Sequence, residues 1–327
     1  MKAIIAGYGS IGKRHVQNLL STTNYDILIC TSQQKPKAFN TKRCMFFKTL
    51  RDCFSYKPVI GFVTNVSSEH VKTSIALANA GCHIFIEKPL SNSLQSVNKL
   101  SKIIKKKKLV TLMGCNLRFH SCIQKIKELL IKGEIGKIIS VRVECGTYLP
   151  DWHPNEDYRN NYAARDDLGG GVVLTCIHEL DYLYWFFGTV KEVFSMTGKY
   201  SNLQTKSDDL SAIILRFNNN VIAEVHLDYF QRPEARNCKI IGTKGTIYWD
   251  STTNKVKVYR PTTKKWETVF RINKYDKNEM YVKELEHFIR CVSKKVKSIN
   301  DISQGIYTLK VALAVIKSSR LKKVIVP

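Results

Sequence analysis

No stretch of the chain reaches the ~18 consecutive apolar residues that a membrane-spanning helix needs, so a membrane protein is not expected. The first residues lack the apolar core and small-residue cleavage site of an export signal, passing from Lys2 directly into a glycine-rich motif. The ten cysteines are scattered from Cys30 to Cys291 and form no CxxC pair, which argues against both a zinc ribbon and a disulfide scaffold. An RNA-binding signature, zinc-finger spacing, a basic region followed by heptads, internal repeats and low-complexity linkers are also missing. Acidic residues are scarce: 27 Asp and Glu face 52 Lys and Arg, leaving a formal charge of +25. Such a field concentrates anions, which admits nucleic acid, an anionic membrane surface or a phosphorylated substrate without choosing among them. The one long basic run, 105–108, sits where a surface helix should end, and cations there suit the helix dipole. These absences lead us to expect a cytoplasmic chain with reduced thiols, no metal site, no specific nucleic-acid partner and no membrane.

What is present points to two packed cores, since 327 residues with 44% hydrophobic composition exceed what one core usually holds. Up to about residue 117, short buried strands alternate with amphipathic helices, the pattern of a parallel sheet covered on both faces. Strands are expected at 2–6, 26–30, 59–63, 83–86 and 109–114, with helices at 11–20, 70–80 and 94–104. Beyond about residue 119 the texture changes. A helix over 123–130 leads into alternating runs at 138–148, 193–200, 210–217, 221–229, 239–241 and 246–249, which predict an open, mostly antiparallel sheet. The tract Asn218, Asn219 and Asn220 is hairpin-turn chemistry. Late helices at 278–293 and 303–319 precede a short strand at 324–326. The expected domains are 1–119 and 120–327, with the last helix free to pack back on the first, and 120–327 an α+β domain.

Gly7, Gly9 and Gly12 spell G-x-G-x-x-G directly after a strand and at the opening of a helix. The first glycine permits the tight turn, the second lets a pyrophosphate approach the backbone, and the third lets helix and strand pack closely. The helix N-terminus supplies amide donors and partial positive charge, so Ser10 and Ile11 join the expected cofactor contacts. This context predicts a Rossmann, doubly wound α/β sheet. At the end of the second strand, where an acid usually holds the ribose 2′-hydroxyl of NAD, the chain reads Cys30, Thr31, Ser32, with Lys35 and Lys37 beyond. Hydroxyls and cations there suit a 2′-phosphate, so NADP is expected in preference to NAD.

Thr64 and Asn65 follow one strand at its carboxyl end, and Glu87, Lys88 and Pro89 follow the next, where open α/β sheets bind ligands. A partly desolvated Lys88 could donate to a substrate oxygen and join proton transfer. Taken alone it would read as a surface lysine. The segments GYGSIGKRH, TNVSSEH, AGCHIFIEKPLS, GCNLRFH and LGGGVVLTCIHELD, in this order across nearly the whole chain, together resemble the Gfo/Idh/MocA family of oxidoreductases. The resemblance implies a Rossmann domain followed by an open-faced α/β domain, and NAD(P)-dependent oxidation or reduction of a hydroxyl on a sugar, cyclitol or nucleotide sugar. It further implies that Lys88 is catalytic, that Asn65 and Glu87 line the cofactor pocket together with His70, and that Arg118 lies near the active site.

The same resemblance places an Asp and a downstream His on the helix after Gly169, Gly170 and Gly171. The chain offers His178, but has Thr175 where the Asp is expected. On one helix, residues three apart share a face, so Thr175, His178 and Asp181 would align, with Asp181 orienting His178. The mechanism expected is hydride transfer at a carbinol carbon, with His178 as general base and Lys88 holding the oxygen. Residues 149–165 are polar and aromatic, and Trp152, Tyr158 and Arg159 could stack on and clamp a sugar or its phosphate. With HELDYLYWFFG, this stretch resembles the branch associated with bacterial surface-sugar biosynthesis, where substrates are often nucleotide-linked. The apolar and aromatic run at 221–229 suggests a sheet face that pairs subunits into a homodimer or homotetramer. Two other readings stand beside the enzyme: a dinucleotide-binding sensor of the same fold with weak or no catalysis, which Thr175 would permit, and a basic nucleic-acid-associated protein.

Overall fold

The structure is a computed structural model that describes residues 1–33 and 41–327. The chain divides into two compact units, Met1–Asn116 with Tyr281–Leu309, and Leu117–Met280 with Lys310–Pro327.

In the first unit, six strands form a wholly parallel sheet: β1 (Lys2–Ala6), β2 (Asp26–Cys30), β3 (Cys44–Phe47), β4 (Ile60–Val63), β5 (His83–Glu87) and β6 (Thr111–Gly114). Their spatial order is β3-β2-β1-β4-β5-β6, so the winding reverses between β1 and β4. Helices α1 (Ser10–Thr22), α2 (Leu50–Phe54), α3 (His70–Asn79) and α4 (Val97–Lys107) connect them. The central strands read as unbroken apolar runs because both faces are covered, and Ile4, Ile5, Phe62 and Phe85 are fully buried. Phe288 packs edge-on against Phe62 and Phe85, at 5.9 and 5.7 Å between ring centres. Asn300 accepts from the Met113 amide at 2.8 Å.

β3 and α2 are too short, at four and five residues, to carry a readable period, and the sequence did not announce them. α4 begins later than its apolar spacing suggests because Ser96 takes a left-handed φ of 58° and separates the preceding turn. Its end behaves as expected: three lysines occupy the last turn, and Lys108 caps it at φ 52°.

The second unit opens with α5 (Ser121–Ile131) and is built on eight strands: β7 (Ile138–Gly146), β8 (Val190–Gly198), β9 (Leu210–Phe217), β10 (Ile222–Asp228), β11 (Ala235–Gly242), β12 (Gly245–Asp250), β13 (Lys255–Arg260) and β14 (Lys265–Arg271). They are ordered β14-β13-β12-β11-β7-β10-β9-β8, antiparallel throughout except where β7 meets β10. The expectation that β7 is simply antiparallel therefore holds only for its pairing with β11. β13 and β14 extend the sheet at one edge and were missed, since β14 is mostly exposed and presents little apolar alternation. The run 324–326 forms a single bridge, Val193 with Ile325, and no strand.

Between β7 and β8 lie α6 (Val172–Thr175) and α7 (His178–Phe187), where one helix was expected. Cys176, at φ −90° and ψ 27°, breaks the helix, so Thr175 does not share a helical face with His178 and Asp181. The chain closes with α8 (Glu279–Lys294) and α9 (Ile302–Leu321). Within β10 the apolar residues Ala223, Val225 and Leu227 point into the core. The face that the run 221–229 leaves open is instead Ile222, Glu224 and His226, because side chains alternate along a strand. Exposed apolar residues sit on neighbouring strands, at Phe194, Met196 and Ile214.

Candidate active site

The glycine motif lies at the reversal of strand order, the place where open α/β sheets accept ligands. Gly7 has φ +107°, and a Cβ there would fall 2.6 Å from the Asn65 backbone nitrogen. A Cβ on Gly12 would collide with the Gly7 carbonyl oxygen, while one on Gly9 would meet nothing within 4 Å. Two of the three glycines are thus explained by the protein's own packing, and the third borders open space. α1 has no side-chain cap at Gly9, and its first-turn N–H groups have no intrahelical acceptors. Ser10 and Ile11 open that turn. The arrangement fits the pyrophosphate of a dinucleotide, which takes amide donors and needs close backbone approach.

The loops after β4 and β5 are tied to this turn and to each other. Thr64 Oγ1 donates to the Gly7 carbonyl at 2.8 Å. His70 sits fully inside, with Nδ1 2.7 Å from the Pro89 carbonyl oxygen and Nε2 3.0 Å from that of Asn65. Burial lowers the His70 pKa, opposed by both backbone hydrogen bonds. Asn65 Nδ2 donates to Thr73 Oγ1 at 2.9 Å, and Asn65 Oδ1 is buried with no partner among the described residues. An unmatched buried acceptor between the loops after β4 and β5 is what a donor on a bound group would satisfy.

Glu87 is buried at the end of β5, and its Oε1 lies 2.7 Å from His15 Nε2. Gly114 makes room for this carboxylate: a Cβ there would lie 2.9 Å from Glu87 Oε2. Lys88, next along, is half-buried. Tyr281 faces the same group. Burial raises its pKa, Glu87 adds to the rise, and Arg14 and Lys88 oppose it. The Arg14 guanidinium stacks 4.3 Å from the centre of the Tyr281 ring. His15 and Tyr281 were not singled out from the sequence. His15 falls in the quoted segment GYGSIGKRH, three residues after the last glycine, whereas nothing near Tyr281 announces it.

At the end of β2, Thr31 is buried and its Oγ1 accepts from the Gln33 amide at 3.1 Å, while Ser32 is exposed. Lys35 and Lys37 lie outside the described residues. The cation seen at this turn is Lys48, whose Nζ donates to the Ser32 carbonyl at 3.0 Å.

In the second unit, His178 opens α7 and is buried, as are Thr175 and Asp181. Both Asp181 oxygens accept from Arg118, at 2.7 Å from Nε and 2.8 Å from Nη2, and the Arg118 side chain is fully enclosed. Glu179, two residues earlier, holds Arg236 at 2.8 Å. These two pairs fix α7 and so the placement of His178. Thr175 lies beside Tyr229, whose phenol pKa is pushed well up by burial. Trp152 is half-buried, packs edge-on to Tyr229 at 5.7 Å and donates from Nε1 to Thr147 at 3.2 Å. Tyr158 and Arg159 line an open cleft, with Arg159 held by Asp157 at 2.8 Å.

A parallel sheet with a glycine-rich turn at its reversal, followed by a largely antiparallel open sheet, defines an NAD-binding oxidoreductase of two-domain type. Residues 1–115 match the oxidoreductase family's NAD-binding Rossmann fold, and residues 127–326 match its C-terminal alpha/beta domain. The chain belongs to the Gfo/Idh/MocA family of oxidoreductases. It is 27% identical over 272 residues to the myo-inositol 2-dehydrogenase of Thermotoga maritima, covering 77% of this chain and 75% of that protein. It is 21% identical over 329 residues to the 1,5-anhydro-D-fructose reductase of Ensifer adhaerens, covering 96% and 95%. Among solved structures, a levoglucosan dehydrogenase in complex with NADH superposes with a TM-score of 0.88 at 17% identity, covering 100% of this chain and 99% of that one. That likeness is one of fold. Among the described residues, no helix is long and apolar enough to cross a membrane.

Proposed function

We propose that this oxidoreductase moves a hydride between a nicotinamide cofactor and a hydroxyl-bearing carbon of a sugar or cyclitol, including sugars linked to a nucleotide. The observation that carries the reading is the open space at Gly9 beside an uncapped helix N-terminus, with Asn65, Glu87 and Lys88 on the adjoining strand ends. Relatives named for inositol and for an anhydro-sugar support the substrate class. When bound, the nicotinamide supplies the hydride acceptor or donor. The chain's own residues do the rest: Lys88 braces the substrate oxygen as charge grows on it, and His178 takes or returns its proton. Arg118 and Asp181, expected to touch substrate, act as a positioning pair for α7, because each already satisfies the other. Trp152 anchors its loop on Tyr229 and Thr147, leaving Tyr158 and Arg159 for substrate.

NADP is the preferred cofactor in this reading. Neither Cys30, Thr31 nor Ser32 offers a carboxylate to a ribose 2′-hydroxyl, and Lys48 adds a cation at the same turn. The exposed Phe194, Met196 and Ile214 on one sheet face favour a homo-oligomer, and ten free cysteines suit a reducing, cytoplasmic setting. A second reading, cofactor binding without turnover, is favoured by Thr175, an uncharged hydroxyl where the family resemblance leads one to expect an acid. The test is reduction of NAD and of NADP over a panel of cyclitols, free sugars and nucleotide sugars, beside cofactor titration. Turnover of a polyol, lost in Lys88→Ala with cofactor affinity kept, supports the enzyme; tight cofactor binding with no turnover of any panel member supports the sensor.

A further inference from the structure

The second unit carries a cleft of about 450 Å³ that neither Lys88 nor His178 lines. Tyr148, Tyr158, Arg159, Gln204, Phe230 and Arg232 supply most of its chemistry. Tyr148 follows the carboxyl end of β7 and Phe230 that of β10, so the cleft opens at the ends of the only parallel strand pair in this sheet among the described residues. Its two arginines are in different states. Arg159 is neutralised by Asp157 at 2.8 Å and further held by Gln204 Oε1 at 3.0 Å. The Arg232 guanidinium carbon sits over the Tyr148 ring, 3.9 Å from its centre, and among the described residues no carboxylate pairs with it. A guanidinium held over a ring face and paired with no carboxylate has N–H donors to offer, and its fork is the group that grips a carboxylate or phosphate. The two cations and the single Asp157 carboxylate leave the lining with one net positive charge. Gln204 is fixed by its backbone donation to the Tyr158 hydroxyl at 3.0 Å, which holds ring and amide side by side.

Flat ring faces beside amide and guanidinium groups recognise a ring with apolar C–H faces and polar edges, while one unmatched guanidinium asks for one anionic group. We propose that this cleft binds a pyranose carrying an anionic substituent, either a carboxylate or a phosphate. Arg232 takes the anion, and Tyr148, Tyr158 and Phe230 take the sugar. The choice of a sugar ring rests on the functional reading above, but the test does not use turnover, so either can fail without the other. A site here makes the preferred substrate larger, or more acidic, than a free neutral hexose.

The experiment is calorimetric titration of the full chain, without cofactor, with D-glucuronate, D-glucose 6-phosphate, methyl glucoside and inorganic phosphate. Both anionic sugars should bind at least about tenfold more tightly than methyl glucoside or phosphate alone. Arg232→Ala, at an exposed position, should abolish that preference without changing the circular dichroism spectrum. Tyr148→Ala should weaken both anionic sugars, while Arg142→Ala, on the open sheet face, should leave them unchanged. Equal binding of methyl glucoside, equal binding of phosphate alone, or an unaltered preference in Arg232→Ala each overturns the proposal. Discrimination between glucuronate and glucose 6-phosphate identifies which anion the cleft prefers.

Discussion

His15 and Glu87, 72 positions apart, meet at 2.7 Å inside the first unit, with the His15 side chain wholly buried and Glu87 one residue before Lys88. Phe62 and Phe85 pack around the imidazole, at 5.2 and 4.8 Å between ring centres. An ionised Glu87 can only accept, so Nε2 carries the proton and, in the neutral ring, Nδ1 holds a lone pair with no described partner. The pair links the glycine-motif helix to the strand end that carries the lysine. His15 is therefore a positioning residue for Glu87 and, through the backbone, for Lys88.

His15→Leu keeps the volume and removes the donor, leaving a buried carboxylate oxygen unmatched at a cost of about 1–3 kcal/mol. Urea unfolding should show that loss. Turnover should fall by about tenfold or more through misplacement of the strand end, with a smaller change in substrate KM. His15→Gln, which retains a side-chain N–H, should recover part of both. Unchanged kcat in the leucine variant would remove the positioning role.

The three motif glycines should separate by experiment. Gly9→Ala places a methyl in open space on an ordinary backbone, so thermal stability should be unchanged or rise slightly. Cofactor affinity should nevertheless drop, since the methyl occupies the pyrophosphate's approach. Gly12→Ala drives a methyl into the Gly7 carbonyl and should cost stability at the upper end of the roughly 1–3 kcal/mol typical of overpacking. Thermal unfolding read beside NADPH fluorescence titration distinguishes the two. A Gly9 variant that binds cofactor normally would show that no phosphate uses that space.

These glycines were legible because each answers to a local rule: turn, approach, packing. The parallel sheet was legible for a similar reason, since the cores of its strands, such as 3–6 and 84–86, are continuously apolar. β14 was not, because Lys265–Arg271 sits at the sheet edge where little burial imprints a pattern; β13, Lys255–Arg260, does alternate, with Val256 and Val258 fully buried, but it is only six residues long and was missed all the same. The split between α6 and α7 was hidden as well. Periodicity through Val172, Leu174, Ile177 and Leu180 continues across a backbone break that Cys176 makes without glycine or proline. Partners distant in sequence were beyond reach altogether, so Asp181 could be placed near His178 by spacing, but not assigned to Arg118.

That ion pair yields a sharp stability prediction. Arg118 and Asp181 are joined twice with almost no exposure. Arg118→Met leaves a buried carboxylate without its counter-ion and should cost about 3–5 kcal/mol. The double variant Arg118→Met with Asp181→Leu should cost less than the single one, because no orphaned charge remains. A chemical-denaturation cycle measures the coupling. Additive losses would show that the two side chains do not depend on each other.

His70 sets a pH dependence whose sign can be worked out. Burial holds its folded pKa below the ordinary 6.5, so the neutral ring is favoured in the folded state. The stability this confers is complete above the unfolded value. It is lost as pH falls from there through the folded pKa, since the unfolded chain takes up a proton that the folded chain resists. His83 and His287 are also lowered by burial and contribute the same slope. His70 should be distinguishable because its ring lies between the Asn65 and Pro89 carbonyls, across the loops after β4 and β5. Denaturation midpoints taken downward from neutral pH should fall in the parent chain and fall less steeply in His70→Gln, which has no titrating group. Cofactor affinity should not follow that descent through His70, because protonation gives the ring a second N–H for the carbonyl oxygens of Asn65 and Pro89 and tightens the loops that carry Asn65 and Lys88. Parallel pH profiles for parent and variant would assign the slope to the other histidines and leave His70 a passive tie.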